Sequence, residues 1–140
     1  MVPPGRRGRT TAPRRPPSQT QKVNPLRRGE VYLCSFDPTV GHEIKKTRPA
    51  LVIQNDVGNR YSPLTIVAAI TSTLSPVPYP VEVVVEPNSR NGLDVRSSIR
   101  LDQIRTVDRS RLFRRLGIVD AETMAKADEA IKISLGLIRF

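Results

Sequence analysis

Several residue types that commonly build active sites and cores are scarce in this sequence. It contains no tryptophan, one cysteine, one histidine, three phenylalanines and three tyrosines. A single cysteine excludes an internal disulfide, which is typical of proteins from a reducing compartment. The single histidine, His42, and the scattered acidic residues give no zinc-ligand spacing, so we expect no metal and no other cofactor. The core must therefore consist mainly of Val, Ile and Leu.

Long hydrophobic segments are also missing. No apolar run approaches the roughly 20 residues that span a bilayer, and the N-terminus lacks the apolar segment of a signal peptide. We therefore expect a soluble, cytoplasmic protein that does not enter a membrane. Cys34 lies within the alternating run of residues 30–36, so we interpret it as a core residue rather than a nucleophile.

The basic charge is unevenly distributed along the chain. The formal net charge is +10, yet residues 1–24 contain six basic side chains, no acidic one and many prolines. Such a segment buries too little apolar surface to offset the entropy lost on ordering. We predict a disordered tail over residues 1–24 and one folded domain over residues 25–140. Because a run of charges fixes no geometry, the tail is interpreted as a solvated leader rather than a nucleic-acid-binding arm.

The hydrophobic pattern of the domain predicts mainly β-structure. Residues 30–36 alternate, while residues 50–54 and 64–70 are continuous apolar runs, typical of strands buried on both faces. Shorter apolar runs with flanking turn residues predict two more strands. These additional strands are expected at residues 81–85 and 97–101, and a loop is expected at residues 55–59.

Helical spacing of apolar residues begins only near the C-terminus. Asp120 can cap the first turn of this helix, and Gly136 is its expected stop. Several short strands followed by one helix predict an α+β, mainly β, domain. The expected architecture is a small, partly open antiparallel barrel.

The most informative segment is the loop of residues 41–49, Gly-His-Glu-Ile-Lys-Lys-Thr-Arg-Pro. It places cations directly before strand 50–54, and strand 64–70 ends at the hydroxyl residues 71–73. The two clusters can converge at one edge of a small sheet. An arginine fork matches phosphate oxygens, and hydroxyls can donate to the same group. This arrangement predicts a phosphodiester site, with RNA as the favoured substrate.

Six short motifs follow one another along the chain, at residues 28–32, 37–43, 46–52, 69–72, 101–108 and 133–137. Together they resemble the MazF/PemK toxins of bacterial type II toxin–antitoxin modules. The resemblance covers residues 27–140 and is closest to MazF forms of Gram-positive bacteria through residues 52–60. It implies an SH3-like barrel of the CcdB/MazF type with a C-terminal helix, assembled as a homodimer.

The resemblance also implies a function, a metal-independent and sequence-specific endoribonuclease that cleaves single-stranded RNA, including mRNA. In the family's pattern, the arginine of the Arg-Pro step and the threonine that closes the later strand are catalytic, and here these are Arg48 and Thr71. RNA supplies its own nucleophile, the 2′-hydroxyl, so the protein must align it and stabilise charge on the phosphorus. Because a guanidinium keeps its proton, we assign Arg48 to transition-state stabilisation and Thr71 to holding a phosphate oxygen or orienting Arg48.

Further side chains are candidates for RNA binding, each with a structural alternative left open. Lysines attract backbone phosphates or simply solubilise a loop, and an acid can accept from base amino groups or position Arg48. Polar residues at strand ends can read splayed bases or bond within turns, and a tyrosine can stack or pack. The candidates are Glu43, Lys45, Lys46, Asn55, Tyr79, Asp102 and Gln103. The arginines after residue 104 either extend the RNA track or form a solvated face, whereas His42 is interpreted as a solvated loop residue.

The expected partner and two alternative functions complete the interpretation. The resemblance implies a MazE-like antitoxin whose acidic C-terminal segment folds onto the basic groove. One alternative is a CcdB-like, non-catalytic poison of DNA gyrase. The other is a plain nucleic-acid-binding module driven by the basic tail.

Removal of residues 1–24 separates the tail-driven alternative from an enzyme domain. We expect the shortened chain to retain site-specific RNA cleavage, because every candidate site residue follows position 40. Gel analysis of transcript fragments checks this, and loss of all nucleic-acid binding would instead support the tail-driven module.

Overall fold

One antiparallel β-sheet organises the described part of the computed structural model, residues 25–43 and 46–139. Its strands follow the order β4-β5-β3-β2-β1-β6. In chain order, the strands are β1 Glu30–Ser35, β2 Thr47–Val52, β3 Leu64–Thr71, β4 Glu82–Val85, β5 Ser97–Asp108 and β6 Leu112–Ile118. Helix α1, Asp56–Tyr61, joins β2 to β3, a 3-10 turn Arg109–Arg111 joins β5 to β6, and helix α2, Ala121–Ser134, follows β6.

The sheet carries a separate hydrophobic cluster on each face. Helix α2 covers the first face, where Ala127 packs against a cluster that includes Val31, Leu51 and Ile70. The opposite face, which we call the distal face, carries a second cluster. It includes Tyr32, Cys34, Ala50, Val67 and Ala69. Because successive strand residues alternate between faces, this division fixes which polar side chains share the distal face.

The sheet is not closed, but its two ends approach each other through the β4–β5 connection. The amide of Ile118 on edge strand β6 donates to the carbonyl of Arg90 at 2.8 Å. Gly117 lies against the same connection, since a Cβ there would stand 2.0 Å from the Arg90 oxygen. The predicted antiparallel, partly open barrel with a C-terminal helix is therefore confirmed, with a backbone contact rather than strand pairing between the sheet ends.

Most predicted elements are confirmed, and the differences have identifiable causes. Strand β2 begins at Thr47, before the apolar run, because pairing with β1 extends into the cationic segment. Strand β5 continues to Asp108, and β6 was not predicted because the exposed residues Phe113, Arg114 and Arg115 interrupt its apolar pattern. The predicted stop near Gly136 is confirmed, since α2 ends at Ser134 and Gly136 adopts a φ of +74°.

The loop predicted at residues 55–59 is wrong, because residues 56–61 form helix α1. Asparagine and glycine are weak helix formers, so propensity gave no helical signal. Tertiary hydrogen bonds supply the missing stability. The buried Asn59 side chain donates to the Gln54 carbonyl at 2.9 Å and accepts from the Thr65 hydroxyl at 2.7 Å.

The prediction that Cys34 is a core residue is confirmed. Cys34 is fully buried, and burial raises the pKa of its thiol to about 11, which suppresses the reactive thiolate. None of the helices in residues 25–43 and 46–139 combines the length and apolarity needed to cross a bilayer. The predicted tail, residues 1–24, lies outside the described part of the chain.

Substitution of Gly117 by alanine tests the contact between the two ends of the sheet. The new methyl would collide with backbone, which cannot move aside as a flexible side chain can. We expect a loss of about 1–3 kcal/mol in the free energy of unfolding, measured by urea denaturation.

Gly58→Ala provides the matched control for this experiment. Gly58 lies in helix α1, where alanine is the better helix former, and the three atoms nearest to its new methyl all belong to the flexible Gln54 side chain. A stability within about 1 kcal/mol of wild type is expected for the control. Equal stabilities for the two variants would contradict the close approach at Gly117.

Candidate active site

The register of β2 against β3 points Arg48 toward Thr71. The pairing of the two strands ends at Ala50 and Ala69, and the same antiparallel register continued by two residues on each strand leads to Arg48 and Thr71. Both side chains follow distal-face alanines at two-residue spacing, so both lie on the distal face. Directly opposed residues of antiparallel strands hold their Cβ atoms about 4.5–5.5 Å apart. This spacing lets a guanidinium and a hydroxyl contact the same phosphate group.

The guanidinium of Arg48 contains a buried donor that the described residues leave unsatisfied. Its Nε is buried, and no acceptor among the described residues bonds to it. Cys34, which pairs with Arg48 across β1 and β2, is an apolar neighbour rather than an acceptor. Leaving a buried donor unpaired costs about 1–3 kcal/mol, so such a group calls for an explanation. An anionic ligand on the distal face supplies one.

Thr71 presents a hydroxyl group beside this guanidinium. The side chain is largely buried, and its oxygen accepts a hydrogen bond from the Thr73 amide at 3.1 Å. A hydroxyl that accepts from backbone keeps its own proton for donation. Thr71 can therefore donate to an oxygen that is held by Arg48.

The segment that leads into Arg48 is held by local hydrogen bonds. Phe36 donates its amide to the Lys46 carbonyl at 3.0 Å, and the Lys46 amide donates to the Asp37 carboxylate at 3.0 Å. Lys46 has a φ of +68°, a left-handed conformation that is uncommon outside glycine. The Glu43 carboxylate accepts from the Val40 amide at 2.6 Å. Lys46 and Glu43 are exposed on either side of the undescribed residues 44 and 45.

Two arginines, one in β5 and one in the 3-10 turn that follows it, hold the start of this loop, and we call them the arginine brace. Arg111 donates to the carbonyls of Ser35, at 3.0 Å, and of Asp37. Arg105 donates to the carbonyls of Phe36 and Pro38. Four successive carbonyls are thus held by two guanidiniums. These arginines therefore contact the backbone rather than form only a solvated face.

A shallow pocket lies between the braced loop and strand β5. It has a volume of about 130 Å³ and is lined by Phe36, Glu43, Ala69, Gln103, Ile104 and Arg105. Ala69 is two residues from Thr71 on the distal face, so the pocket adjoins the arginine and threonine. Two predicted RNA-binding residues, Glu43 and Gln103, therefore meet in one concave surface.

A bulge in β5 forms the far side of this pocket. Ala68 pairs with Ile104, but the next residue, Ala69, pairs with Arg100. Residues 101–103 consequently have no partner on β3, and bulges of this kind re-aim side chains. Two predicted RNA-binding residues, Asp102 and Gln103, lie in the bulge. The irregular backbone thus presents polar groups where a regular strand would continue its pairing.

The Asp102 carboxylate is engaged by a neighbouring arginine. Arg100 donates from Nε and Nη2 to the two carboxylate oxygens at 2.9 and 2.7 Å. This hydrogen bonding raises the pKa of Arg100, against the opposing effect of burial. Asp102 retains further lone pairs toward solvent, so base reading by Asp102 stays a prediction.

Of the remaining candidates, only Asn55 is shown to lie apart from this cluster. Asn55 follows the far end of β2, where its side-chain oxygen accepts from the Gly58 amide at 2.8 Å and caps α1. Tyr79 is exposed in the β3–β4 connection. His42 is exposed in the β1–β2 loop, and Lys45 is outside the described part of the structure. The structure therefore groups Arg48, Thr71, Glu43, Lys46, Asp102 and Gln103, but does not bring Asn55 to them.

The structural roles of three arginines and one glutamate were missed in the sequence. Arg105 and Arg111 brace the loop, while Arg100 and the buried Glu82 lie beside Asp102. The spacing of Arg100 and Asp102, two residues apart in a strand, was a usable signal for a same-face ion pair. No sequence signal identifies a guanidinium that donates to distant backbone carbonyls. Within residues 25–43 and 46–139, no cluster of three or more metal-ligating side chains occurs.

The fold and the site together define a small SH3-like barrel protein with a candidate phosphodiester site. Comparison with protein families gives a match over residues 27–135 to the family described as PemK-like, MazF-like toxin of type II toxin-antitoxin system. The chain belongs to this PemK/MazF family, as its sequence motifs predict.

Curated relatives support the same assignment. Endoribonuclease EndoA of Bacillus subtilis is 47% identical over 115 residues, which cover 82% of this chain and 98% of that protein. Endoribonuclease MazF of Staphylococcus epidermidis is 44% identical over 115 residues, or 82% of this chain and 95% of that protein. The predicted similarity to Gram-positive MazF forms is confirmed. These relatives favour the ribonuclease interpretation over the gyrase-poison alternative.

Solved structures show the same fold. MazF from Deinococcus radiodurans superposes with a TM-score of 0.70 at 27% identity and covers 81% of this chain and 99% of its own. A mycobacterial endoribonuclease in complex with its cognate antitoxin gives a TM-score of 0.67 at 26% identity, over 82% of this chain and 99% of its own.

Substitution of Arg111 by leucine tests the arginine brace. We expect faster hydrogen exchange at the amides of Phe36 and Lys46, because the loop loses two charge-assisted bonds. The free energy of unfolding should fall by about 1–3 kcal/mol. Hydrogen-exchange NMR and urea denaturation measure these two effects.

Arg114→Leu is the matched control, since Arg114 is an exposed residue of β6, which follows the 3-10 turn that contains Arg111. Exchange at Phe36 and Lys46 should remain at the wild-type rate in this variant. Identical exchange in the Arg111 and Arg114 variants would contradict the brace.

Proposed function

We propose that this protein is the toxin of a type II toxin–antitoxin module and that it cleaves single-stranded RNA, including mRNA, at specific sequences without a metal ion. One observation carries the proposal. The buried Nε of Arg48, which lacks a described acceptor, lies on the distal face, as does Thr71, and the β2–β3 register continued past Ala50 and Ala69 leads to both residues. A phosphodiester placed between them satisfies both groups.

The proposed reaction uses the substrate's own hydroxyl as nucleophile. The 2′-hydroxyl loses its proton as its oxygen attacks the adjacent phosphorus, and the bond to the 5′-oxygen breaks. The leaving 5′-oxygen takes up a proton, so that a 2′,3′-cyclic phosphate and a 5′-hydroxyl result. Negative charge accumulates on the non-bridging oxygens as the phosphorus becomes pentavalent. Arg48 stabilises that charge from a fixed position, and Thr71 holds one of the same oxygens. Because the guanidinium is already partly desolvated, it needs little reorganisation at the moment of reaction.

The surface around this pair suits a single strand with splayed bases. Lys46, together with Lys45, attracts backbone phosphates on one side of Arg48. The pocket that contains Glu43 and Gln103 accepts a base, and the amide and carboxylate read its edge. Tyr79, exposed in the β3–β4 connection, and Asn55, beyond the far end of β2, would contact flanking nucleotides.

The proposed partners are an antitoxin and a second copy of the chain. A mycobacterial relative was solved in complex with its cognate antitoxin, and so was Deinococcus MazF with MazE. An acidic antitoxin segment on the distal face would compete with RNA for the same cations. Homodimerisation would cover the exposed apolar side chains that follow α2, which are Leu135, Leu137 and Ile138. The cytoplasm, where mRNA is translated, is the proposed compartment.

Substitution of Arg48 by alanine tests the proposed active site. RNA cleavage in the presence of EDTA should fall by at least about 100-fold, because the main stabiliser of the transition-state charge is lost. Folding should be unaffected or slightly improved, since a buried and unpaired donor disappears. Fragment analysis of a long transcript and thermal unfolding provide the two measurements.

Arg60→Ala serves as the control for this loss of charge. Arg60 is exposed on α1, beyond the opposite end of β2 from Arg48. Full cleavage is expected from the control variant. If Arg48→Ala cut RNA as fast as the unmodified protein, the proposed active site would be refuted. If the unmodified protein failed to cut RNA in EDTA, the proposed reaction would be refuted.

A further inference from the structure

Arg100 borders the candidate active site, although the proposed reaction does not use it. It lies in β5 between Ala69 of β3 and Glu82 of β4, each of which is its direct cross-strand partner. Ala69 lies on the distal face, two residues from Thr71, and also lines the pocket. Cross-strand partners share a face, so the side chain of Arg100 lies on the distal face beside the pocket.

Carboxylates hold one edge of the Arg100 guanidinium. Nε and Nη2 donate to the two oxygens of Asp102 at 2.9 and 2.7 Å, and the Glu82 carboxylate lies 3.9 Å from Nε. Glu82 is itself buried and accepts from the hydroxyls of Ser75, at 3.0 Å, and Ser98, at 3.4 Å. This bidentate contact restricts the rotation of the guanidinium, so its remaining donors point in a defined direction.

The opposite edge of the guanidinium is available for a ligand. The bonds that Arg100 makes to described residues use only Nε and Nη2, and 26% of its side chain is exposed. With the Nε edge occupied, Nη1 and the second hydrogen of Nη2 form a planar pair of donors. Such a fork matches a ligand that offers two adjacent acceptors in one plane.

A phosphate and a nucleobase can both offer two adjacent acceptors, and the charge around Arg100 favours the base. Arg100 contributes one positive charge, whereas Asp102 and Glu82 contribute two negative ones, so the cluster is anionic before any ligand binds. A phosphate would meet the repulsion of both carboxylates. A neutral base edge avoids that repulsion and still satisfies both donors. Guanine offers O6 and N7 side by side, and cytosine offers O2 and N3, while adenine and uracil alternate donors with acceptors.

We propose that Arg100, oriented by Asp102, is a specificity-determining residue that binds guanine or cytosine at one position of the RNA recognition sequence. This proposal rests on the proposed ribonuclease function and adds to it the class of base that the site selects. Asp102 is the positioning residue in this arrangement. Its carboxylate acts on the base through the guanidinium, in addition to any direct contact of its own.

Cleavage-site mapping with an Arg100→Leu variant tests the proposal. Cut ends of a long transcript are sequenced for wild type, for Arg100→Leu and for Arg96→Leu, all in EDTA. Arg96 is the matched control, because it forms an exposed ion pair with Glu86 shortly before β5. A bidentate arginine–base contact is worth roughly 5- to 150-fold in discrimination. Wild type and Arg96→Leu should share a position that prefers guanine or cytosine, and Arg100→Leu should lose that preference while it still cuts.

Modified substrates distinguish the two bases and need no variant. If guanine is bound, 7-deazaguanine at the preferred position removes the N7 acceptor and should lower the wild-type kcat/KM by about tenfold. If cytosine is bound, 3-deazacytosine removes N3 and should have the same effect. In the Arg100→Leu variant, neither modified base should lower kcat/KM further, because the contact that it removes is already absent.

The outcomes separate this inference from the proposed function. Three results would overturn the role of Arg100 and leave the ribonuclease function intact. They are a wild-type recognition sequence without guanine or cytosine, an unchanged base preference in Arg100→Leu, and wild-type cleavage rates that neither modified base lowers. Absence of RNA cleavage by wild type would overturn the proposed function, and with it this inference.

Discussion

The pairing of β2 with β3 is the constraint on which the candidate site depends. Ala50 opposite Ala69 ends the pairing, and the same register continued by two residues leads to Arg48 and Thr71. A slip of one residue would move the arginine to the helix-covered face, where it would displace core side chains. Burial of both faces of the sheet prevents that slip. The hydrophobic core thus fixes the geometry of the polar pair, although no core residue takes part in the chemistry.

Around this pair, arginines perform different tasks according to their partners. Arg48 has a buried donor that no described residue satisfies, whereas Arg105 and Arg111 donate to backbone carbonyls and hold the loop. Arg100 is fixed by carboxylates and keeps one edge open. In the proposed function, their common charge attracts RNA, whereas their partners decide which arginine would contact phosphate, which would contact a base and which maintains the fold.

The sequence predicts those features that depend on hydrophobic pattern and strand order. Alternation placed Tyr32 and Cys34 on one face of β1, and helical spacing placed α2 after Asp120, as the structure confirms. The convergence of the cationic loop with the end of β3 follows from the same antiparallel order. Helix α1 was missed because its stability comes from the buried hydrogen bonds of Asn59 rather than from local propensity. The arginine brace was missed because its partners are carbonyls about 70 residues away in the chain.

A double-mutant cycle on Arg48 and Thr71 tests the central claim most directly. The quantity is kcat/KM for cleavage of one RNA oligonucleotide by wild type, Arg48→Ala, Thr71→Val and the double variant. If both groups hold the same phosphate, the losses should be strongly non-additive, and the double variant should be little worse than the worse single variant. Independent losses that multiply, or a Thr71 variant with full activity, would contradict the account.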